Sequence, residues 1–97
     1  MSVKLPKIEK FIEERVRKDG SRIFIPYVKM LGDTWYLKEE ETIFGNTYYI
    51  LYPRDTYLTF DSMEKSSRAL NDAFIRWTNS YIDNENRKTT KVITHKL

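Results

Sequence analysis

"DSMEKSSRALNDAFIRWTNSYI", residues Asp61–Ile82, carries the clearest periodicity in the chain. Met63, Ser67, Leu70, Phe74, Trp77 and Tyr81 recur at spacings of four and three, with Ala69, Ala73 and Ile82 on the flanks. Lys65, Arg68, Asp72, Arg76 and Asn79 fall off this stripe. An apolar stripe of this spacing predicts an amphipathic helix. Asp61 reads as its N-cap and Glu64, three residues on, as the partner in a capping box. A helix with one apolar face must bury it, and the material for that lies upstream. Met63, Leu70, Phe74 and Trp77 are the expected core residues.

Upstream, the period changes to two. "SRIFIPYVKML" is rich in β-branched and aromatic residues and predicts a strand over 22–30, with Pro26 marking an edge position or a bulge. Gly32-Asp33 turns the chain, and "TWYLKEE" returns with Trp35 and Leu37 on one face and Tyr36 and Lys38 on the other. Gly45-Asn46 breaks again before a third strand, "TYYILY", and "TYLTF" reads as a short fourth after Pro53-Arg54-Asp55. In the third strand Tyr48, Ile50 and Tyr52 alternate with Tyr49 and Leu51, so both faces carry rings. At least two of these rings are expected against the helix, leaving one or two exposed.

The first segment, "LPKIEKFIEERVRKDG", supports two assignments. Ile8, Phe11, Ile12 and Val16 have helical spacing, Pro6 suits a first turn, and Gly20 a C-terminal stop. The same residues also read as a strand entering a hairpin at Asp19-Gly20. The helical assignment, through about Arg17, is the one preferred. The expected class is α+β: an antiparallel three- to four-stranded sheet covered by a long C-terminal helix, with a short N-terminal helix. The tail "KTTKVITHKL" reads as a last strand or a basic arm over 86–97.

Ninety-seven residues, 40% hydrophobic and 14% aromatic, make one domain with one core. Cysteine is absent, which removes disulfides, thiol catalysis and thiolate metal sites. No apolar run reaches the length of a membrane helix and the N-terminus lacks a signal-peptide core, so a cytoplasmic protein is expected. No cofactor, metal or small-molecule substrate is expected either. His95 is the single histidine, three carboxylates adjacent at Glu39-Glu40-Glu41 diverge along a strand, and no phosphate loop or nucleophile elbow occurs. The expectation is a protein that is not an enzyme.

The net charge is +3, but the middle of the chain is acidic and both ends are basic. Two kinds of binding follow. The first is protein–protein interaction, as a regulator, inhibitor, adaptor or self-associating domain, through Trp35, Tyr36, Glu39, Glu40, Glu41 and Tyr48. The alternative is nucleic-acid binding through Arg15, Arg17, Lys18 and Arg22 around the Asp19-Gly20 turn, with Arg87, Lys88 and Lys91 past the helix. Tyr27, Tyr36 or Tyr48, exposed on the sheet, would add stacking. Convergence decides between them: nucleic acid requires cations and exposed rings on one face.

"RKDGSRIFIPYVKMLGDTWYL" followed by "LTFDSMEKSSRALNDAF" resembles the small arm-binding domains of phage-type integrases in its Asp-Gly start, paired strands and helix entered after Thr-Phe. The helix–strands–helix order also resembles the double-stranded-RNA-binding fold, whose phosphate-contacting lysine pairs correspond here only to Lys65 and Arg68. Both likenesses are of element order.

Overall fold

A computed structural model describes residues 3–88 and 90–97. Four antiparallel strands, β1 (Glu9–Val16), β2 (Arg22–Met30), β3 (Asp33–Glu41) and β4 (Thr47–Tyr52), form one sheet in sequential order. One helix, α1 (Met63–Asn86), packs across a single face. The α+β class is as expected, and no described helix covers the sheet's other side.

The N-terminal segment is a strand and not a helix. Residues Glu9 to Val16 pair with Lys29 to Arg22 in unbroken register, so the ladder overrides the helical spacing. Alternation sends Ile12 toward α1 and Phe11 to the opposite face, and each is half-buried. The Asp19-Gly20 hairpin closes this pair. The Asp19 carboxylate accepts from the Ser21 N–H and hydroxyl at 2.8 and 2.6 Å, while Gly20 takes φ +86°. Those bonds stabilise the ionised carboxylate, so Asp19 titrates below the ordinary aspartate range.

The next turn falls at Leu31-Gly32, one residue earlier than expected, with φ of +53° and +77°. Both positive angles match the two-residue hairpin turn whose twist suits the flanking strands. Glycine adopts this region freely, but leucine does so at a cost. Leu31 is 54% exposed and so gains little packing in return. Leu31→Asn is therefore expected to raise stability by about 1 kcal/mol. In thermal denaturation that corresponds to a gain of roughly 4–8 °C, and an unchanged midpoint would count against strain at this site.

Pro26 lies inside β2, paired with Ile12 of β1. On the other side, β2 meets β3 only from Tyr27 to Met30. Phe24 shows which way the intervening groups point: its N–H and C=O bond Phe60 at 2.8 and 2.9 Å. Pro26 shares the parity of Phe24 and has no N–H to give, so the β2–β3 ladder ends there. Phe60 enters the gap. "TYLTF" is accordingly an isolated bridge and not a fourth strand, the fourth strand being supplied by β1. The tail from 90 to 97 forms no strand and is exposed.

The core is built from Val28, Met30, Leu37, Leu51, Ala69, Leu70 and Ala73. Ser66, Ala69 and Ala73 line the buried face of α1, and their small size lets the helix approach the sheet closely. The buried stripe is thus rotated from the expected one. Leu70 is buried, Phe74 and Trp77 pack at the margin, and Met63 is exposed. The cap also moves by one residue. Ser62 accepts from the Lys65 N–H at 3.1 Å, while Asp61 and Glu64 pair with Lys65 and Arg68 instead.

Candidate nucleic-acid interface

Strand parity determines what faces away from α1. Trp35 and Leu37 turn toward the helix, so Tyr36, Lys38 and Glu40 turn outward. The cross-strand register then places Tyr27 and Phe11 beside Tyr36, and Tyr52 on its other side. Phe11 stacks on Tyr27 at 5.1 Å, Tyr27 meets Tyr36 at 5.8 Å, and Tyr36 meets Tyr57 at 5.8 Å. The result is a four-ring row across three strands and the segment that follows β4. None of its rings is fully buried.

Tyr57 belongs to the chain between β4 and α1. It touches Tyr36 on the outer face, whereas Phe60, three residues later, meets Tyr49 on the helix face at 5.8 Å. The chain therefore passes between β2 and β3 through the gap at Pro26. This crossing explains why Ile25, on the outward side of β2, is fully buried: Tyr57 spans Arg15 and Tyr36, on either side of it.

Cations border the row. Lys29 lies 5.6 Å from the Phe11 ring and Arg15 lies 5.3 Å from Tyr57. Lys38 and Arg54 approach Tyr52 at 5.0 and 5.4 Å. These distances suit cation–π attraction, which holds each head near a ring while leaving donors free. Arg15 also donates to the Tyr57 hydroxyl at 3.2 Å and to Glu13 at 3.0 Å. The hydroxyl first, and then the carboxylate, raise its pKa above the ordinary guanidinium value. Glu9, Glu13 and Glu40 are acids on the same face as the row, and they pair with Lys7, Arg15 and Lys38 respectively.

The residues expected around the first turn separate. Arg15 joins the outer face, while Arg22 bonds Glu14 at 2.9 Å on the helix side. Arg17 and Lys18 are exposed at the turn. Arg87 pairs with Asp83, Lys88 with Glu85, and Lys91 lies exposed in the tail. The Glu85 hydrogen bond raises the Lys88 pKa. This group follows the helix past Trp77, whose partner Trp35 sits by the Leu31-Gly32 turn. It lies at the end of the sheet opposite Arg17 and Lys18.

The residues read as a protein interface also scatter. Trp35 is half-buried, edge-on to Trp77 at 6.4 Å, with its indole N–H donating to the Met30 carbonyl at 3.1 Å. Tyr36 belongs to the outer row. Tyr48 lies under the Arg76 guanidinium at 4.7 Å. Glu39 and Glu41 turn to the helix side and Glu40 outward. Among the described residues, no three His, Cys, Asp or Glu side chains gather as metal ligands would. No described helix is long and apolar enough to cross a membrane.

Sequence reasoning missed Phe11, Lys29, Arg54 and Tyr57 as members of this face. Lys29 was accessible to it, since period two places Lys29 with Tyr27. Phe11 was hidden by the helical assignment. Arg54 and Tyr57 reach the face through a crossing that no local pattern encodes. Comparison with known protein families, characterised proteins and solved structures returned no match.

Proposed function

We propose that this is a non-enzymatic, cytoplasmic nucleic-acid-binding domain that holds single-stranded nucleic acid on the open face of its sheet. The observation that carries the reading is the convergence of the row Phe11–Tyr27–Tyr36–Tyr57 with Arg15, Lys29, Lys38 and Arg54. Bases present π-faces irrespective of sequence and phosphates need cations at intervals, so rings bordered by cations serve both. Single strands suit this surface because unstacked bases can lie against partly exposed rings, which duplex bases cannot.

The test is fluorescence anisotropy with labelled single- and double-stranded DNA and RNA across a salt series. Single strands are expected to bind more tightly than duplexes. With four phosphate contacts the logarithmic salt slope should be about −3. Arg15→Gln combined with Lys29→Gln should flatten that slope by about 1.4. No binding at low salt, or preference for the duplex, would overturn the reading.

A further inference from the structure

Ile43 and Phe44, at the tip of the β3–β4 hairpin, are 94% and 84% exposed. They are held out rigidly. Thr42 and Asn46 close the turn with a 2.7 Å backbone bond, and the Gly45 N–H donates to the Thr42 carbonyl at 3.0 Å. The Thr42 hydroxyl accepts from the Phe44 and Asn46 N–H groups at 3.3 and 3.1 Å. Two large apolar side chains carried into water on a turn closed by four hydrogen bonds are preorganised for a pocket. Behind them Glu39 and Glu41 share the helix-side face and have no ion-pair partner among the described residues. Such a tip is repelled by phosphates, so neither the nucleic acid proposed above nor an anionic membrane suits it. It requires an apolar recess with a basic rim.

The chain itself carries one. A groove of about 510 Å³ opens between β4 and the first turns of α1, with Tyr49, Phe60 and Ala69 as apolar walls. Lys65 and Arg68 stand at its rim, and Asp72 is occupied by Arg76 and the Tyr49 N–H. The groove begins at Thr47, directly beside the tip. A tip cannot fold back into a groove that adjoins its own strand, but it can enter that of a second copy.

We infer that two copies of this chain associate about a two-fold axis near Thr47, each inserting Ile43 and Phe44 into the groove of the other. Because tip and groove are neighbours, one rotation satisfies both contacts and closes the assembly as a dimer. Glu39 and Glu41 then face the partner's Lys65 and the partner's Arg68. Those cations leave exposed intrahelical pairs, which hold them weakly. The open aromatic faces stay uncovered, so the dimer presents two of them.

Sedimentation velocity without nucleic acid, from micromolar to millimolar protein, tests this separately from the proposed function. The wild-type chain should pass from monomer to dimer with rising concentration. Phe44→Ser should weaken the dimer by at least about tenfold. Its thermal midpoint at monomeric concentrations should be unchanged, since the side chain packs against nothing. Arg68→Glu should also weaken association, and adding Glu41→Lys should restore it. A wild-type monomer throughout would overturn the inference. So would a dimer indifferent to Phe44→Ser, or a charge-reversed double variant no better than Arg68→Glu alone.

Discussion

Leu37→Ala is expected to destabilise the domain by about 3–5 kcal/mol. Leu37 is fully buried and directly opposite Leu51 in the β3–β4 ladder, where Leu70 and Ala73 of the helix close over both. Its position makes the loss hard to repair. β3 has β4 on one side there, but the gap opened at Pro26 on the other, so no neighbouring strand can slide in. At roughly 0.05–0.15 kcal/mol per residue, a chain of this length holds about 5–15 kcal/mol in total. The thermal midpoint should fall by about 15–30 °C. Met63→Ala is the control. It removes a comparable side chain from the exposed side of the first helical turn and should move the midpoint little. Equal effects of the two changes, measured by circular dichroism, would mean that the helix is seated on its other stripe.

Tyr36→Ala should reduce affinity for single-stranded nucleic acid by about 5- to 150-fold, the equivalent of one stacked base. Tyr36 is the residue to remove because it joins Tyr27 to Tyr57, so its loss breaks the row at the centre. Tyr36→Phe keeps the ring and should retain the affinity. The salt slope separates stacking from charge. Tyr36→Ala removes no cation and should leave the slope unchanged, whereas Lys38→Gln should flatten it by about 0.7. Undiminished affinity in Tyr36→Ala would leave the cations without a stacking role for the rings.

Strand alternation separates residues that both sequence-level alternatives group together. A basic cluster beside Asp19-Gly20 looked coherent along the chain, yet alternation divides Arg15 from Arg22 across the sheet. The acidic triplet looked like a patch, but Glu40 points away from Glu39 and Glu41. Neighbours in sequence became opposites in space because side chains in a strand alternate. Residues far apart in sequence, Phe11 and Tyr57 among them, became neighbours instead.

Local chemistry determined a good deal. The helix beginning near Asp61, the strands over 22–30, 34–40 and 47–52, the glycine turns to within a residue and the α+β class all follow from periods of 3.6 and 2.0 and from turn residues. Three features did not. The first segment satisfied both periods, and only the N–H and C=O groups along the edge of β2 decided that it would pair as a strand. The helical stripe was wide enough to be seated in two ways, and the close approach permitted by Ser66, Ala69 and Ala73 chose between them. The outer face was completed by a chain crossing between β2 and β3. Pro26 made that crossing possible by withholding one hydrogen bond, and what passes through a gap depends on where the chain must go next, which no local pattern records.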